Sequence, residues 1–109
     1  PAALAALPAA RAADAFARPL AEAERRWIDA TVARLPLRDR VAQLVTVWVL
    51  GDYANVEDSS FARARDWVAR DHVGGVVMSL GSPLETAAKV NALQRLALAG
   101  GPRVPLLVS

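Results

Sequence analysis

Carboxylates are the groups through which this sequence could do chemistry, and their placement limits what that chemistry can be. There are eleven: Asp14, Glu22, Glu24, Asp29, Asp39, Asp52, Glu57, Asp58, Asp66, Asp71 and Glu85. Two carboxyl groups flanking one bond suit glycoside hydrolysis, one as nucleophile or base and the other as acid. Most of the acids fall where solvation or helix capping explains them. Only Asp52, Glu57 and Asp58 share a loop that follows a strand segment. Asp52 and Tyr53 come just past the first strand, at the end of a βα sheet where polar substrates are held, and they are the candidate substrate-binding residues. Loop packing and solvation is the plainer account of both. No residue here is assigned a catalytic role.

The remaining polar groups are readily explained. Ser79 ends the second strand segment, and a hydroxyl bonded to backbone accounts for it. His72, the single histidine, follows a helix at the opposite end of the sheet. A helix C-terminus suits a charged imidazole, so its expected role is structural. One histidine and no cysteine leave no metal site, disulfide or thiol nucleophile. The turn Leu50-Gly51-Asp52-Tyr53 matches neither glycine-rich phosphate motif, and no cofactor is expected. The helix opening at Ser82 offers an anion its N-terminus, but the Ser82 side chain already fills the cap.

These residues need elements to position them. Residues 21–35 have a helical period, with Trp27, Ile28, Thr31, Val32 and Leu35 on one face, and Pro36 stops the helix. A short turn of helix, Leu37 to Ala42, follows. Residues 43–50, QLVTVWVL, are apolar and rich in β-branched types: a strand expected to be buried on both faces. Residues 60–71 read as a helix with Phe61, Ala64, Trp67 and Val68 inward and Asp58 or Ser59 as cap. Residues 75–80, GVVMSL, form a second strand. Ser82, Pro83 and Glu85 make a capping box with proline at N1. That helix is expected to bury Ala87, Val90, Leu93 and Ala97 and to end at Gly100-Gly101-Pro102. Residues 104–108, VPLLV, begin a third strand. Asn91 and Gln94 could bond neighbouring loops. Strand starts recur about every 30 residues, the length of a βα repeat, which predicts a parallel sheet.

The chain has 109 residues, is 54% apolar and carries a net charge of +2. That suits one small globular domain and argues against nucleic acid as a partner, as does the scatter of the arginines. No apolar run is long enough to span a bilayer. Residues 1–20 are rich in alanine, contain three prolines and read as a disordered leader or linker. They also suit the tail of an export signal, and with it a periplasmic or secreted location.

Four stretches carry a family resemblance: LPLRDRVAQLVTVWV at 35–49, HVGGVVMSLGSP at 72–83, VNALQRLA at 90–97 and VPLLVS at 104–109. In this order and spacing the chain resembles the start of the barrel domain of glycoside hydrolase family 3, in its bacterial β-N-acetylhexosaminidase-like branch. Asp39-Arg40 stands where the family has Glu-Lys, and Ala42 where it has glycine. The resemblance implies an α/β fold whose residues 21–109 supply the first three strands and intervening helices of a truncated (β/α)8 barrel, which needs about 250 residues when whole. It implies a retaining glycosidase, without cofactor, acting on a β-linked sugar such as N-acetylglucosamine, a carbohydrate substrate of cell-wall or sugar metabolism. The family's nucleophile and acid/base residues have no counterpart here, so the fragment itself is expected to be inactive. Another parallel α/β enzyme or small-molecule-binding module is the alternative, and a noncatalytic interaction domain is a third.

Overall fold

The computed structural model describes residues 18–52 and 59–109. The expected leader up to residue 17, and with it Asp14, lies outside the described residues, as do Tyr53, Glu57 and Asp58. The chain forms two compact units, residues 1–30 and 31–109.

Helix α1 (Glu22–Arg34), which starts in the first unit and ends in the second, begins without a Ser, Thr, Asp or Asn cap. Glu24 replaces it: its carboxylate accepts from the Ala21 N–H at 2.7 Å and from the Arg18 guanidinium at 2.5 and 2.9 Å. The Arg18 bond first, then the Ala21 N–H, hold the Glu24 carboxyl down to about 2. The same contact raises the Arg18 guanidinium further above its ordinary value. Glu22 pairs with Arg26 one turn on. The apolar face expected for α1 is mostly uncovered: Trp27, Ile28 and Val32 are exposed, and only Thr31 and Leu35 are buried.

The second unit holds α2 (Leu37–Ala42), β1 (Thr46–Leu50), α3 (Ser59–Ala69), β2 (Gly75–Ser79), α4 (Pro83–Ala99) and β3 (Leu107–Val108). It is a small α/β domain whose three strands are parallel and lie in the order β1-β2-β3. The sheet is open, and no closed barrel forms among the described residues. Trp48 stands opposite Val77, and Val76 opposite both Val47 and Val108.

The core lies on one face of this sheet. Val49 and Val76 meet Ala64 and Val68 of α3 and Leu93 and Ala97 of α4, with Val73 and Leu106 at its border. Val76 and Leu93 are fully buried. Each such side chain contributes about 1.5–3 kcal/mol. The other face, with Thr46, Trp48, Val77 and Leu107, has no layer over it among the described residues, and Trp48 is 59% exposed. Burial on both faces is therefore corrected to burial on one. Strands laid down in sequence order send both crossover helices to the same side.

Local details also differ from expectation. Gln43 and Leu44 form a turn, so β1 starts at Thr46. β3 starts only at Leu107, because Pro105 has no N–H to donate and Arg103 adopts a left-handed backbone, φ 53°. In α4 the inward phase is Lys89, Leu93 and Ala97, and Ala87 is exposed. The capping box is present: Ser82 accepts from the Glu85 N–H, and Glu85 accepts from the Ser82 N–H and hydroxyl. Those bonds, the hydroxyl first, lower the Glu85 carboxyl below its ordinary range.

His72 takes part in structural contacts. It lies three residues beyond α3 with φ 60°. Its Nδ1 is 2.9 Å from Oδ1 of Asp39 on α2, and its carbonyl accepts from Gln43 at 2.8 Å. Arg38 reaches Asp71 at 3.0 Å beside it. These bonds tie α2 to the turn that enters β2.

Candidate functional site

The carboxyl ends of β1 and β2 are joined by their backbones. The Gly51 N–H donates to the Ser79 carbonyl at 2.7 Å. A Cβ on Gly51 would lie 2.2 Å from the Leu80 carbonyl oxygen, and one on Gly81 would lie 2.2 Å from the Gly51 oxygen. Gly81 also has φ 119°, which a side chain rarely allows. Leu80, exposed, holds the left-handed region at φ 58°. A bulky residue in that region is strained.

Asp52 is the first side chain beyond this junction. It is 61% exposed. Its Oδ1 lies 3.3 Å from Nζ of Lys89, whose side chain is only 8% exposed. The same ammonium donates to the Leu50 carbonyl at 2.6 Å. The Phe61 ring centroid is 5.7 Å from Nζ, within cation–π range. Helix α4 thus reaches over β1, satisfies its last carbonyl and holds the carboxylate that follows. A cavity of about 150 Å³ lies between β1 and α3, with Trp48, Leu50, Phe61, Arg63, Trp67 and Lys89 among its walls.

Of the two candidate substrate residues, Asp52 stands at the strand end and Tyr53 lies outside the described residues. Glu85 is the other described carboxylate at this end, and it is committed to the capping box. Among the described residues no group of three His, Asp or Glu side chains is placed to hold a metal. Lys89 was missed by sequence reasoning, though a signal existed. Of 13 Lys and Arg residues it is the only lysine, and it lies four residues before Leu93 on the inward face of α4.

Fold and site together define a small parallel α/β domain with a lysine-braced carboxylate at the carboxyl end of its sheet. No family model, curated protein or solved structure matches the chain. Among the described residues no helix is long and apolar enough to cross a membrane.

Proposed function

We propose that residues 21–109 are the opening part of a (β/α)8 barrel of the glycoside hydrolase family 3 type, in its β-N-acetylhexosaminidase-like branch. In this reading the parent protein cleaves a β-linked sugar, and Asp52 accepts hydrogen bonds from sugar hydroxyls at the rim. The observation that carries it is the one-sided sheet. Strands in the order β1-β2-β3 with both helices on one face are how a barrel wall begins, whereas a doubly wound sheet reverses its order to place helices on both faces. The uncovered side chains Trp48, Val77 and Leu107 then belong to the barrel interior, which such folds fill with layers of large apolar residues.

The gene sequence following the Ser109 codon tests this reading. An acidic residue and then Glu-Gly-Gly supports the hydrolase. Any other continuation overturns it in favour of another parallel α/β protein, since the fold alone licenses no particular chemistry.

A further inference from the structure

We propose that Lys89 is the positioning residue for Asp52: it locks the carboxylate against the end of β1 so that Oδ2 faces outward to accept from a neutral sugar hydroxyl. The inference rests on the sugar-binding reading of that end.

The argument starts from cost. Placing an ammonium where its side chain is 8% exposed is unfavourable unless acceptors replace the lost water. The Leu50 carbonyl is one such acceptor. It would be served as well by a neutral amide, as from glutamine, without desolvating a charge. A cation is required only if an anion must also be held, and Asp52 is that anion. Arginine, used at every other basic position, would bring five donors in a rigid fork to two acceptor oxygens. Lysine is the basic residue that fits. Phe61 walls the ammonium on another side. Without this brace Asp52, mostly exposed, would sample several rotamers and lose that freedom on meeting a ligand.

The 109-residue chain can be tested directly. Side-chain couplings by NMR should show one Asp52 rotamer in the native chain and averaging in Lys89→Met. In titrations with N-acetylglucosamine, Lys89→Met should weaken binding about tenfold, the worth of a charged hydrogen bond. The same substitution in an Asp52→Asn background should add nothing. Equal losses in both backgrounds, or an averaged Asp52 in the native chain, would overturn the proposal. A locked Asp52 with no saturable sugar binding would keep the brace and sink the sugar reading instead. Should Lys89→Met fail to fold, Asp52→Asn serves alone. With one lysine the ammonium gives a single ¹⁵N signal, and its proton exchange should quicken several-fold; an unchanged signal refutes the brace.

Discussion

The side-chain amide of Gln94 treats Leu106 as a neighbouring strand would. Its Oε1 accepts from the Leu106 N–H at 2.9 Å, and its Nε2 donates to the Leu106 carbonyl at 2.8 Å. Leu106 is buried, so both backbone groups would otherwise be left without water or partner. One glutamine thereby anchors the chain just before β3, whose own ladder is short. Gln94→Leu should destabilise the domain by about 2–3 kcal/mol, read as a lower urea midpoint with an unchanged slope. A loss below about 0.5 kcal/mol would mean that water replaces the amide.

Gly81→Ala should cost about 2 kcal/mol or more, because it combines a left-handed backbone with a clash against the Gly51 oxygen. Thermal melts would show it. Gly51→Ala meets the same junction from the other side, so the double variant should lose less than the two single losses added together.

The start of α1 should respond to acid. Glu24 has its folded value lowered from 4.5 to about 2, so the ionised form is the stabilising one. Its contribution is complete above about pH 4.5 and disappears as pH falls through about 2. Amide shifts of residues 21–25 followed by NMR should titrate in that window. The pair with Arg18 is exposed, so added salt should shrink the effect. Glu24→Gln should abolish it.

Lys89 should resist acylation. Among the amines of the chain, the α-amino group and this one ammonium, a reagent at pH 8 should modify the terminus first. Lys89 should react only as the domain opens, at a rate that tracks global unfolding. Mass spectrometry of partly labelled protein reads the order, and rapid labelling of Lys89 in native conditions would contradict its burial.

No hydrolysis is expected from these 109 residues with a chromogenic N-acetylglucosaminide. Retaining cleavage commonly uses two carboxyl groups about 5 Å apart. Among the described residues at the sheet's carboxyl end, Glu85 is tied to Ser82 and leaves Asp52 without a second. Turnover above background would show that a partner for Asp52 had been overlooked.

Much of the scaffold was legible in the residues. Ser82, Pro83 and Glu85 announce α4 because each satisfies a separate local rule of helix initiation, and Ala64 with Val68 marks the inner face of α3 through simple periodicity. The uncovered face was not legible. Val and Trp runs look the same whether a strand is buried on one side or two, since composition reports apolarity and not the layer that covers it. Pro105, with no N–H for a ladder, is a local sign of a late β3 set among apolar neighbours that suit a strand. His72 and Asp39 are 33 residues apart in sequence, and no local pattern links them. Lys89 is hidden by its chemistry: lysine is ordinarily a surface residue, so residue type alone points it away from the inward phase it takes on α4.

The contact of Gly51 with Gly81 sets where this scaffold can vary. Two main chains touch there with no side chain between them, so neither crossover can gain a residue on the sheet side of that point without prising the strands apart. On the second connection no residue can be added ahead of Ser82, since the cap follows Gly81 at once. The connection that leaves β2 is thereby a fixed hinge-pin, held in length by the approach of Gly81 to Gly51 and by the cap at Ser82.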